Sequence, residues 1–262
     1  MRSLAFESIP TYALLGVEVH ALTMAQLNGL IGEAVEQQQK WIIANHNLHS
    51  IYLYHREPKM RSFYAAAPFT HIDGMPLVLL GRFLKLPLMR EHRTTYADWI
   101  WSLAREAAKQ EWRIFYLGSK IGVADQGAAI LREKFPGIQI KTAHGYFNTD
   151  PSSKENQSIL DQIKAYQPHV LMVGMGMPRQ ELWILDNLEV ISANAILPSG
   201  ACLDYVAGAI PTPPRWMGYA NLEWLYRLAS EPRRLWKRYL VEPLFLVCLY
   251  GQDLFNRYIQ KL

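Results

Sequence analysis

Short apolar runs alternate with longer amphipathic stretches along most of this chain, and that alternation predicts its elements. Residues 14–20 read as a first strand. Thr23 can cap a helix running to Gln38, with apolar positions at Met24, Leu27, Leu30, Ile31 and Ala34. A second strand at 41–44 runs into a polar cluster, Asn45 to His49. Helices follow to Arg56 and after Pro58. A short strand at 69–72 meets Asp73 and Gly74, then a helix at 76–84, a mostly polar loop at 89–95 and a helix at 96–109. Strands at 113–117, 138–142, 170–173 and 195–198 are separated by helices to about Phe135, over 151–166 and from Pro178. Strand–helix alternation of this kind predicts an α/β fold, a Rossmann-like, mostly parallel sheet with helices on both faces.

The polar residues worth singling out fall where that fold binds ligands, outside the carboxyl ends of the strands. Asn47, Asp73, Gly118 and the stretch from Gly174 to Glu181 all stand there. In that stretch Gly174 and Gly176 end an apolar run, and Pro178 suits the first position of a helix. Arg179, Gln180 and Glu181 fill its first turn, an end that attracts anions, phosphates above all. A plain strand-to-helix turn is the alternative. Asp73 follows a strand and precedes a glycine, which leaves its carboxylate the access that a general base needs. The alternative is an aspartate capping the next helix. His46, His49, His71 and His92 read as hydrogen-bonding or surface residues rather than ligands.

Several classes are disfavoured. The glycines make neither Gly-x-Gly-x-x-Gly nor a Walker pattern, and no acidic residue stands where a dinucleotide's ribose would need one. There is no Gly-x-Ser-x-Gly elbow and no His-Glu-x-x-His. The two cysteines, Cys202 and Cys248, form no metal-binding pair and fit a reducing compartment. No signal peptide is evident in residues 1–20, and no window approaches the roughly 18 apolar residues of a membrane span. No metal and no cofactor is expected, and no nucleic acid, because a net charge of +4 is only mildly basic.

Where that charge lies changes the picture. Three prolines at 211, 213 and 214 mark a boundary between residues 1–210, the catalytic domain, and 211–262, a C-terminal basic amphipathic helical appendage. Residues 215–240 hold six basic and two acidic side chains, an excess equal to the net charge of the whole chain. On one helix Arg227, Arg234 and Arg238 fall within roughly 20° of a line, with Leu225, Leu228, Trp236 and Tyr239 on the opposite half. Pro232 should kink or split that helix. Basic residues interleaved with tryptophan and tyrosine suggest a membrane-surface element. A packed helix with a solvated basic face is the alternative. Charged residues make up 19% of the chain, below the usual value of about 25%, which suggests a partly covered surface.

Taken together, Asp73-Gly74, residues 144–147 (His-Gly-Tyr-Phe), the Gly-x-Gly-x-Pro-x-Gln-Glu wording from Gly174 to Glu181, Asp204 with Gly208, and residues 222–239 resemble the WecG/TagA/CpsF glycosyltransferases, glycosyltransferase family 26. The resemblance spans about 14–239. It implies inverting transfer of a hexose from a UDP-sugar to a polyprenyl-diphosphate-linked sugar, by a peripheral protein at the cytoplasmic face of the inner membrane. It implies Asp73 as general base and Gln180 in the catalytic pocket. Asn47, Gly118, Gly174, Met175, Gly176, Pro178, Arg179 and Glu181 would surround the donor, and Arg227, Arg234 and Arg238 would meet the lipid diphosphate. A homo-oligomer is possible. The chain departs from the family wording at Asn45, where a threonine is usual, at Tyr96, where a glycine is usual, and at Thr212-Pro213-Pro214. These departures bear on the sugar rather than the reaction. The wording of residues 45–49 looks more like the xanthan-type exopolysaccharide glucosyltransferase branch than the N-acetylmannosamine branch, so the hexose is expected to be glucose, with N-acetylmannosamine or its uronic acid as the alternative. Competing readings are a non-catalytic membrane-bound scaffold of polysaccharide assembly and a nucleotide-dependent oxidoreductase.

Overall fold

The structure, a computed structural model, describes residues 9–211, 217 and 223–259. Eight strands form one sheet in the order β1-β2-β4-β3-β8-β7-β5-β6. They are β1 (Thr11–Leu14), β2 (Val17–His20), β3 (Trp41–His46), β4 (Phe69–Ile72), β5 (Arg113–Gly118), β6 (Gln139–Ala143), β7 (Val170–Gly174) and β8 (Ala195–Pro198). Only β1 and β2 pair antiparallel. The single strand expected at 14–20 is therefore a hairpin. Leu15 and Gly16 both take positive φ, 52° and 76°, as a two-residue turn that follows the sheet's twist requires. A leucine at the first of these positions hides the turn from a sequence reading.

The helices cover both faces. On one lie α1 (Met24–Glu36), α5 (Tyr96–Lys109), α6 (Val123–Lys134) and the short α9 (Cys202–Val206). Thr23 and Gln26 form the capping box that starts α1. Tyr96, Trp99, Ile100, Leu103, Ala104 and Ala107 recur three and four apart on α5, so one stripe of that helix is buried. On the other face lie α3 (Pro58–Ala66), α7 (Lys154–Tyr166) and α8 (Arg179–Asn187). A third cluster joins the hairpin to α2 (Leu48–Arg56) and α4 (Met75–Phe83). Pro178 is the residue before α8 rather than its first.

Chain order decides where a cleft can open. The first half builds β4 and β2 to one side of β3, and after α5 the chain crosses to β5 and β6 before returning through β7 to β8. β3 and β8 meet where the halves join, with Trp41 opposite Ala195. Strand order reverses there, which opens a crevice above the carboxyl ends.

After Pro211 the described chain is helical. It comprises α10 (Glu223–Ser230), α11 (Pro232–Trp236), a π-helical turn (Lys237–Val241) and α12 (Glu242–Ile259). The single basic helix is split, with Glu231 as the break before Pro232, so one helical wheel does not describe it. α12 packs on α2. Leu246 enters the third cluster, and the Phe245 ring lies 5.4 Å from that of Tyr52 with the Arg56 guanidinium 4.9 Å from its centre.

Candidate active site

The crevice is a cavity of about 1040 Å³. Its floor begins at β4. Asp73 is the next residue, and its N–H donates to the His46 carbonyl at 2.8 Å. α4 starts after Gly74 with no side-chain cap, so Asp73 is not a capping residue. Instead, the amides of Asn45 and Asn47 both donate to its Oδ2, at 3.3 and 3.2 Å. Among the described residues none hydrogen-bonds Oδ1. Asn47 serves two purposes, because its Oδ1 caps α2 by accepting from the Ser50 N–H at 3.0 Å. The helix cap thus fixes the amide that holds the carboxylate.

Two histidines beside this carboxylate are buried and neutral. Burial pushes His46 down to about 3 and His71 down to about 4. His46 bonds Ser50 and stacks on Tyr64.

The ends of β5, β7 and β8 complete the floor. Gly118 and Gly174 lie side by side in adjacent strands. A methyl on Gly118 would strike the Gly174 backbone, and one on Gly174 would strike the Tyr116 hydroxyl and the Gly200 carbonyl. Both glycines are thus demanded by strand packing. Gly176 differs, with φ at +79° and open space beside it.

Gln180 is buried, and its amide is fully engaged. Oε1 accepts from the Gly176 and Gly200 N–H groups, each at 3.1 Å, and Nε2 donates to Glu181 Oε1 at 2.8 Å. This side chain ties the turn after β7 to the turn after β8. The two glycine N–H groups it holds are taken, so they do not face an anion. Glu181 is fully buried, its Oε2 has no partner among the described residues, and burial pushes it up to about 7.

Asn47, Gly174, Met175, Gly176, Arg179 and Gln180 line the cavity, whereas Gly118, Pro178 and Glu181 stand behind its wall. Arg179 donates to the Phe147 carbonyl at 2.7 Å. Sequence reasoning did not pick out Asn45 as a partner of Asp73, nor Ser119, whose hydroxyl donates to Asp204 at 2.6 Å on the far wall. Tyr146, quoted there within residues 144–147 but given no role, is a ring 63% exposed among the lining residues. Ser119 takes φ of 61°, a value that a serine does not advertise.

The C-terminal helices form the remaining wall. Arg227 lies over the Tyr205 ring at 5.4 Å, and both Arg227 and Arg238 line the cavity. Two of the three arginines of the expected basic face, Arg227 and Arg238, therefore turn inward. The exposed half carries Trp224, Leu225, Trp236 and Leu240 instead. Burial pulls the Arg238 guanidinium below its ordinary range, opposed by the charges of Tyr239, Asp73 and Glu242. No described carboxylate lies within ion-pair distance of it. Glu242 is engaged elsewhere, with His49 Nδ1 at 2.8 Å. The side chain of Arg234 lies outside the described residues. Among the described residues no group of three His, Cys, Asp or Glu converges as a metal site, and no helix is long and apolar enough to cross a membrane.

A carboxylate held by two amides shares with several cationic side chains a cleft at the carboxyl edge of a doubly wound sheet, the place where α/β proteins of this kind bind their ligands. The chain belongs to the WecG/TagA/CpsF glycosyl transferase family, whose model matches residues 12–259. It is similar to the N-acetylglucosaminyldiphosphoundecaprenol N-acetyl-beta-D-mannosaminyltransferases of Staphylococcus aureus strains MW2 and NCTC 8325 / PS 47. Each is 25% identical over 235 residues, covering 86% of this chain and 85% of the relative. Both names specify N-acetylmannosaminyl transfer, which points away from the glucosyltransferase branch suggested by residues 45–49.

Proposed function

We propose that the protein transfers a hexosyl group, of the N-acetylmannosaminyl type named in its relatives, from a UDP-sugar to a polyprenyl-diphosphate-linked sugar. The observation that carries this reading is that Asp73, oriented by two amides on the cavity floor, and the half-buried Arg238 guanidinium line the same cavity. The acceptor hydroxyl attacks the anomeric carbon from the side opposite UDP and passes its proton to Asp73 Oδ1. The bond from that carbon to the UDP oxygen breaks in the same step, so the configuration inverts. Holding both partners in one cleft removes much of the entropic cost of their encounter. Cationic side chains stabilise the charge that develops on the leaving diphosphate.

The donor residues are Asn47, Met175, Gly176 and Arg179 at the wall, with Gly118, Gly174, Pro178, Gln180 and Glu181 shaping the turns that form it. The exposed Tyr146 ring offers a stacking face for a base. Arg227, Arg234 and Arg238 meet the acceptor diphosphate, for which a guanidinium fork is suited. The exposed apolar half of the C-terminal helices rests on the cytoplasmic face of the membrane that holds the acceptor.

Replacing Asp73 by Asn keeps size and polarity and removes the base. Turnover on a synthetic lipid-diphosphate-sugar should fall about 10²- to 10⁴-fold, with UDP binding by calorimetry unchanged. A variant that turns over at the wild-type rate would overturn the assignment.

A further inference from the structure

Arg238 poses a positioning problem. Its guanidinium lines the cavity with no carboxylate of the described residues in ion-pair range, although Asp73 and Glu242 act on it electrostatically. A long side chain held by no ion pair is placed by its backbone, and the backbone there is unusual. Residues Lys237–Val241 form a π-helical turn, wider than an α turn, closed by the Glu242 N–H on the Lys237 carbonyl. Such turns re-aim side chains and recur at functional sites. Arg238 and Glu242, four apart along this segment, both line the cavity.

Glu242 is anchored to the core. It is 7% exposed, and its carboxylate meets His49 Nδ1 from both oxygens, at 2.8 and 3.0 Å. His49 is the second residue of α2, the helix capped by the same Asn47 that donates to Asp73. Below the pair, Phe245 and Leu246 pack α12 onto α2 and the core. The His49–Glu242 contact is the one side-chain hydrogen bond between residues 237–242 and the core among the described residues.

We propose that His49 and Glu242 are positioning residues that fix Arg238 over the cleft for the diphosphate of the acceptor. The pair joins the helix that orients the base to the turn that carries the cation, so base and cation keep a set spacing. This inference rests on the acceptor reading of Arg238.

The test measures transfer to a lipid-diphosphate-sugar by four variants of the full chain, with UDP calorimetry as a check on the donor site. Arg238→Gln should raise the acceptor KM about 10- to 100-fold, the worth of one charge-assisted hydrogen bond. His49→Ala should raise it about tenfold and leave UDP affinity unchanged, while His49→Gln, which keeps a donor for Glu242, should restore most of the loss. The double variant His49→Ala/Arg238→Gln should be no worse than Arg238→Gln alone, because both changes remove one interaction. An unchanged acceptor KM in Arg238→Gln overturns the acceptor reading and this inference with it. A raised KM there beside a wild-type value in His49→Ala overturns the inference alone, as do losses that multiply in the double variant.

Discussion

Glu181 has nowhere to place a negative charge. It is fully buried, one oxygen accepts from Gln180, and the other has no partner among the described residues. Burial raises it from an ordinary 4.5 to about 7. The folded state then holds a proton that the unfolded chain has already released, so this group's contribution to stability declines as pH rises through that window. The decline amounts to at most about 3 kcal/mol. Glu181→Gln keeps an acceptor for Gln180 and removes the titration. Urea denaturation at pH 5 and pH 8 should show the variant gaining on the wild type by about 1–3 kcal/mol across the interval. Parallel stability–pH curves would show that the carboxyl group is not strained by its burial. The same residue illustrates a limit on motif reading, since Gln180 and Glu181 are adjacent in the family wording, yet Gln180 lines the cavity while Glu181 stands behind its wall.

At the scale of elements, the turn after β7 was legible as a glycine turn but not in its purpose. Gly174 is required by the neighbouring strand, whereas Gly176 is required by its backbone angle and borders open space in the cleft. A valine at 176 would project into that space and adopt a left-handed conformation costing about 1–2 kcal/mol. Gly176→Val should fold with a lowered melting temperature and bind UDP at least about tenfold more weakly, as loss of one good contact implies. Wild-type UDP affinity in a folded variant would remove this turn from the donor site. The hairpin at Leu15–Gly16 failed to show in the apolar pattern because the core accepts apolar residues on both sides of the turn, Leu14 and Leu15 being equally buried.

At the scale of the whole molecule, the C-terminal helices divide their surface between two tasks. Arg227 and Arg238 face the cavity, while Leu244, Val247 and Phe255 project from α12 and Phe83 from α4, close to where its ring meets Tyr250. Each large apolar side chain taken out of water contributes about 1.5–3 kcal/mol. The triple variant Leu244→Asn/Val247→Asn/Phe255→Ser should therefore sediment with anionic vesicles at least about tenfold less well than the wild type. UDP binding should be unchanged, because the proposed donor wall lies on the core sheet. Undiminished sedimentation would show that this face does not meet the bilayer.

The sequence alone determined the α/β architecture, the strand ends where the site lies and the family, because apolar periodicity and turn residues are local and the motif wording is distinctive. Asp73 could be weighed as a base but not separated from a helix cap. That took the position of Gly74 as the cap of α4 and the two asparagine amides converging from β3. The inward turn of the arginines was also a tertiary outcome. A helical wheel assigns directions relative to one axis, and the break at Glu231 followed by a π-helical turn supplied more than one axis. Which way each side chain faces then depends on how α12 docks on α2, through contacts between residues some two hundred positions apart, such as His49 and Glu242.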